Sequence, residues 1–167
     1  EEGYVGTLLA CNMTHIANGN FQGPSDLLWH YNRESGRNTM TVQFGHAIDI
    51  FRYCLGDFSE FSAGVSTQVK QWFHTDTQRA VGVTSPDSIM VNGRLGGGAI
   101  ASVYVASVPY HPSGFRLEVY GSEGTLIVTD QQGPNNSQPI LLGAKVKEGE
   151  LHELPIPKRL TWVPDGT

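Results

Sequence analysis

Apolar residues recur along this chain with two different periods, and the change of period separates one helix from a series of strands. From Phe44 to Leu55 the residues Phe44, Ala47, Ile48, Phe51, Cys54 and Leu55 follow the i, i+3, i+4, i+7 stripe of an amphipathic helix. Gly56 follows as a natural stop. Elsewhere the apolar residues come in short runs bounded by turn formers, and 5–13, 61–69, 88–95, 99–108, 116–120, 125–129 and 140–147 read as strands. The glycine run at 96–98 and the segment Gly121-Ser122-Glu123-Gly124 fall between such strands, as hairpin turns would. Residues 18–26 and 32–38, rich in Asn, Gly, Pro and Ser, read as loops. Strands joined by tight turns, with a single helix, predict an α+β architecture. Its sheet is open and mainly antiparallel, and the main helix, about residues 44–55, packs on one face.

Length and charge narrow the classes of function. The 167 residues hold one domain with a real core and are too few for two ordinary ones. Eleven basic against sixteen acidic residues, a net charge of -5, give no electrostatic footprint for nucleic acid or an anionic membrane. The longest weakly polar run, 99–108, is half of the ~20 residues a membrane helix needs. Cys11 and Cys54, far apart and in apolar stretches, read as reduced thiols of a cytoplasmic protein. Residues 1–6 read as a helix end, a glycine stop and a strand, so the chain is expected to be part of something longer.

Candidate chemistry concentrates on the helix. His46, Asp49 and Tyr53, at i, i+3 and i+7, share the face opposite the apolar stripe. A histidine there can take or give a proton near neutral pH, and Asp49 one turn later can orient it. The plainer alternative is that His46 caps local backbone and Asp49 is a surface charge. Trp29-His30-Tyr31 can form an aromatic wall for a sugar ring or can pack under its own loop. The other histidines show no H-E-x-x-H or Cys–His ligand spacing, so no metal site is expected. No G-x-S-x-G elbow and no G-x-G-x-x-G occurs, which argues against serine hydrolase chemistry and against dinucleotide binding by this chain alone.

Several segments, in order, carry a resemblance. Ser35-Gly36, the run 44–51 (Phe-Gly-His-Ala-Ile-Asp-Ile-Phe), Leu55-Gly56, the run 117–126 and, loosely, Asn92-Gly93 resemble the C-terminal domain of Gfo/Idh/MocA-type oxidoreductases. Glu2-Gly3-Tyr4-Val5-Gly6 resembles the point where that family leaves its first domain, and 154–164 the stretch before its final helix. The resemblance implies a parent protein with an N-terminal Rossmann domain that binds NAD or NADP, and residues 1–167 as a single substrate-binding and oligomerisation domain. It implies an oxidoreductase acting on a sugar, polyol or related hydroxyl compound, inactive as this piece alone, and a homo-oligomer formed through the sheet face. Carried over, His46 matches the family's catalytic histidine and Asp49 the acid after it, while Trp29, Tyr31, Arg37 and Tyr53 are expected to shape the substrate pocket. Many members have an Asp four residues before the histidine; Val42 stands there and can neither bond substrate nor move a proton. The run around His46 is closest to the branch resembling the yeast galactose-pathway repressor, which implies a second reading, a cofactor-bound sensor without turnover.

Overall fold

The structure, a computed structural model, describes residues 3–19, 21–133 and 139–157. Its frame is an eight-stranded sheet in the order β11-β10-β9-β8-β1-β7-β6-β3. The strands are β1 Leu8–Asn18, β3 Phe58–Ser66, β6 Ser88–Leu95, β7 Ile100–Val108, β8 Gly114–Gly121, β9 Gly124–Asp130, β10 Ile140–Lys145 and β11 His152–Glu153. The expected α+β class holds, and each expected strand is present, β6 with the expected ends and the others with shifted ones. Neighbouring strands are antiparallel except at one seam, where β1 runs parallel to β7.

That seam explains the helix. β3 and β7 both run antiparallel to β6, so β1, β7 and β3 point the same way. The chain therefore leaves β1 at the middle of the sheet and crosses over before entering β3 at the edge. The helix α2, Gly45–Leu55, lies in that crossover. Gly56 ends it at φ 90°, a left-handed conformation that suits glycine.

The register sorts the sheet into two unlike faces. One row runs Ala63, Val91, Val103, Met13, Leu117, Val128, Leu141, apolar from edge to edge. The row behind it runs Ser62, Asn92, Ser102, Asn12, Glu118, Ile127, Leu142. The stripe of α2 packs on the first, where Ala47, Phe51, Met13, Val103 and Val105 are wholly buried. Phe51 also stacks on Phe58, ring centroids 5.3 Å apart. Gly93 is required where β6 meets the bulge of β3, because a Cβ there would lie 2.1 Å from the Glu60 carbonyl oxygen.

A second sheet was not expected from the pattern. β2 Gln22–Gly23, β4 Gln71–His74 and β5 Arg79–Gly82 pair in the order β2-β4-β5, with the short helix α1, Leu28–Tyr31, beside them. Its core is Tyr31, Trp72 and His74, and Tyr31 is tied in through its carbonyl, which accepts the Thr84 and Ser85 N–H groups.

Truncating Phe51 to Ala removes the side chain that joins helix to sheet. It should cost ~3–5 kcal/mol of stability in urea unfolding. A loss below ~1 kcal/mol would show that the helix is not anchored through this ring.

Candidate functional site

The helical run starts before the apolar period does. Asn38 caps it, its Oδ1 accepting the N–H groups of Met40 (3.0 Å) and Thr41 (3.3 Å). Residues Met40–Phe44 then form a π-helical turn, with the Phe44 N–H donating to the Thr39 carbonyl at 2.8 Å. The wider turn leads directly into α2, a placement recurrent at functional sites. Because Ala47 and Phe51 are fixed against the sheet, His46, Asp49 and Tyr53 stand on the opposite ridge. All three are exposed, Tyr53 at 81%. The spacing thus brings these three residues together as expected.

At the foot of this ridge lies a pocket of about 140 Å³, walled by residues 37–43, the end of β7 and the small sheet. Val42, one helical turn before His46, lines it, with Arg37, Gln43, Trp72, Asp87 and Ser107. The Ser107 hydroxyl donates to Gln43 Oε1 at 2.8 Å and lies 3.0 Å from Thr39 Oγ1. Asp87 is buried, and its carboxylate accepts the backbone N–H groups of Gln68 (2.9 Å to each oxygen) and Val69 (2.7 Å). His30 stacks on Trp72, centroids 5.0 Å apart and planes 15° from parallel. Burial, and then the nearby Arg37 charge, push the His30 pKa below its ordinary value.

The expected substrate-contacting residues divide. Arg37 lines the pocket. Tyr31 is buried behind it, its hydroxyl donating to the Ser25 carbonyl at 3.1 Å and its ring packed on Trp72 and His74. Tyr53 lies on the ridge, two turns beyond His46. The Trp29 side chain lies outside the described residues. Sequence reasoning missed Trp72, Gln43, Asp87 and Ser107. The one usable signal was the alternation in β4, where Trp72 and His74 are buried and Gln71 and Phe73 exposed.

Other features are chemically quieter. An apolar groove lies on the flank of α2 between Phe44 and Ile48 and the edge residues Phe61 and Val65. Both cysteines are free. Among the described residues no three His, Cys, Asp or Glu side chains gather as metal ligands, and no helix is long and apolar enough to cross a membrane.

The profile of the family described as the Gal80p C-terminal domain matches residues 1–130. Levoglucosan dehydrogenase of Pseudarthrobacter phenanthrenivorans is 25% identical over 141 residues, 76% of this chain and 36% of that protein. The galactose/lactose metabolism regulatory protein GAL80 of Kluyveromyces lactis is 26% identical over 113 residues, 62% of this chain and 25% of that protein. Apo levoglucosan dehydrogenase superposes with a TM-score of 0.77 at 20% identity, over 95% of this chain and 43% of that one. The transcriptional regulator Gal80p of K. lactis gives 0.73 at 22% identity, over 92% of this chain and 40% of that one. The dehydrogenase has also been solved with NADH and levoglucosan. The chain thus spans well under half the length of the relatives it matches, and at these identities the structural likeness establishes the fold.

Two half-buried imidazoles make stability depend on pH. Burial lowers the pKa of His15, and burial with Arg37 lowers that of His30. Each has an ordinary value of ~6.5 in the unfolded chain, which therefore binds more protons than the folded one as the pH drops below that value. The stabilisation is complete above ~6.5 and is lost as pH falls through the lower, folded values. Urea unfolding at about pH 7.5 and about pH 5.5 should show the loss, and His30→Gln should reduce it. An unchanged loss in both His30→Gln and His15→Gln would assign it elsewhere.

Proposed function

The chain belongs to the Gal80p C-terminal domain family, and from that premise we propose that it is the substrate-side domain of a nicotinamide-dependent oxidoreductase acting on a sugar, polyol or related hydroxyl compound. The carrying observation is the placement of His46 on the exposed ridge of α2, one turn beyond the pocket wall at Val42. Relatives on this fold include a dehydrogenase solved with NADH and levoglucosan, which supports the class of chemistry.

In this reading the pocket holds the ligand and His46 takes the proton from the hydroxyl being oxidised. Asp49, one turn on, orients that imidazole; its charge is also felt by Arg52. Arg37 and Gln43 orient the ligand from the pocket side. The nicotinamide, when bound, supplies the hydride acceptor. These residues offer no glycine-rich phosphate turn, so the dinucleotide is held by other parts of the parent protein, with the open ridge turned toward it. NAD and NADP are equally compatible with that arrangement.

Val42 favours a second reading, a cofactor-bound sensor like the regulator on the same fold. The pocket wall is apolar at the position that carries an acid in many oxidoreductases of this type.

The test uses the complete gene product with its nicotinamide cofactor and a panel of sugars and polyols. His46→Ala should lower kcat by ~10²–10⁴-fold with cofactor affinity nearly unchanged. Full turnover in the variant would remove His46 from the chemistry. Tight cofactor binding by the unmodified protein, with no turnover on any compound, would decide for the sensor.

The face of the sheet away from α2 fits a second copy of the chain. Met90, Ile100 and Tyr120 are exposed on it, around a core of polar side chains that already bond one another. A self-complementary face of this kind makes a two-fold dimer. Sedimentation should show dimer or larger, and a monomer at high concentration would exclude the interface.

A further inference from the structure

The two edges of the large sheet are unequal. β11 forms one with two residues, a length that offers little to a passing strand. β3 forms the other with nine, Phe58–Ser66, and among the described residues no further strand pairs with it. The outer row of its backbone N–H and C=O groups has no ladder partner there, and the strand carries neither Pro nor Lys to guard that row. Its one charge, Glu60, lies on the face away from α2 and is paired with Arg94 at 3.0 Å.

The side chains of β3 match an incoming strand. Phe61, 65% exposed, and Val65, 51% exposed, project from the apolar face beside the groove that Phe44 and Ile48 wall on its other side. Phe61 is held in place, its ring meeting Phe58 edge-on at 6.2 Å while Phe58 stacks on Phe51. Gly64 lies on the opposite face, where a Cβ would meet nothing within 4 Å in this chain. A strand glycine that its own fold does not require marks a place where another backbone can come close. The bulge between Phe58 and Glu60 confines the regular ladder to residues 60–66, centred on Ala63.

We propose that β3 pairs antiparallel with β3 of a second copy of the chain, about a two-fold axis at Ala63. Side chains opposite one another in such a pair share a face, so the axis falls on a residue and not between two. With the axis at Ala63, Phe61 lies opposite Val65 of the second copy, an aromatic and β-branched pair that forms twice. Ser62 then meets Gly64 and Glu60 meets Ser66. The two Glu60 carboxylates stand about 20 Å apart along the strands, beyond the ~8 Å over which charges are felt through salt. An axis at Ser62 would instead oppose Phe61 to Ala63 and carry Val65 to Ser59 in the bulge. The edge thus supplies a partner for each of its own side chains, which singles out a second copy over an unrelated strand. The two-fold keeps like faces together, so the two grooves join in one apolar trough between the two copies of α2. The contact uses the edge of the sheet and leaves its polar face free, so it can coexist with the face interface in one assembly.

Disulfide trapping in the complete gene product, with the exposed Cys54 changed to Ser, tests the register. Ala63→Cys should cross-link most of the protein under mild oxidation, because residues facing each other across the axis have Cα atoms ~4.5–5.5 Å apart, within disulfide reach. Ser62→Cys places the two thiols on a diagonal of ~7–8 Å and should cross-link roughly tenfold less. Phe61→Lys, at an exposed position, should keep the circular dichroism spectrum and halve the mass of the assembly in sedimentation. No cross-link through Ala63→Cys, equal cross-linking through Ser62→Cys, or an unchanged mass in Phe61→Lys overturns the proposal. The trapping experiment stands if Phe61→Lys folds poorly, and it is separate from the face interface, which does not include Ala63.

Discussion

Burial of Ala47 and Phe51 against the apolar face of the sheet is the contact on which the rest of this structure depends. Once those two side chains are seated, the rotation of α2 about its axis is no longer free. The helical period then leaves His46, Asp49 and Tyr53 no direction but outward. The same seating draws the π turn against the end of β7, where Ser107 meets Thr39 and Gln43. One hydrophobic contact thereby positions both the exposed ridge and the pocket wall. The ridge lies wholly on α2, and a site on packed elements keeps its geometry better than one on loops.

The other face of the sheet is organised by different forces. Ser102 donates to Asn12, Asn12 donates to Glu118 at 3.2 Å, and Arg116 donates to Glu118 at 2.8 Å. Burial raises the Glu118 pKa, but hydrogen bonds from Arg116, Asn12 and Tyr120 and the Arg116 charge outweigh it and hold the carboxyl below its ordinary value. A polar network that satisfies its own members can be covered without leaving unpaired groups. Such a face suits a partner subunit as well as it suits water, whereas the helix face, with its continuous apolar row, suits only burial.

What could be read from the sequence follows from which interactions are local. The 3.6-residue stripe of α2 and the alternation of β6 and β7 are local, and both elements were legible. β6 matched end to end. The glycine turns between strands were legible for the same reason. The π turn was not, because its wider period does not continue the stripe, so the helix was expected to begin at Phe44 rather than Met40. The small sheet was not legible either, since its strands are of two and four residues and β2 pairs with β4 across some fifty positions. The pocket depends on these missed pieces. Of its wall, Arg37, His30 and Val42 had been singled out; Trp72 comes from the small sheet, and Gln43 from the π turn. The ridge was legible from spacing.

The separation of ridge from pocket bears on how one fold serves both an oxidoreductase and a regulator. In the proposed oxidoreductase reading, proton transfer needs an exposed acid or base, and His46 on the ridge is exposed. The pocket wall holds its own hydrogen-bond chain, Thr39 to Ser107 to Gln43, which does not use His46. Val42 sits between the two, on the turn that joins them. An acid at that position would couple ligand binding to proton transfer; an apolar residue uncouples them. In the proposed reading, loss of an acid there weakens proton transfer while leaving the Thr39–Ser107–Gln43 chain intact, so binding can outlive turnover on an unchanged backbone. The physical step from enzyme to sensor on this fold is then small: one side chain at the junction, with no change to the contact that seats the helix.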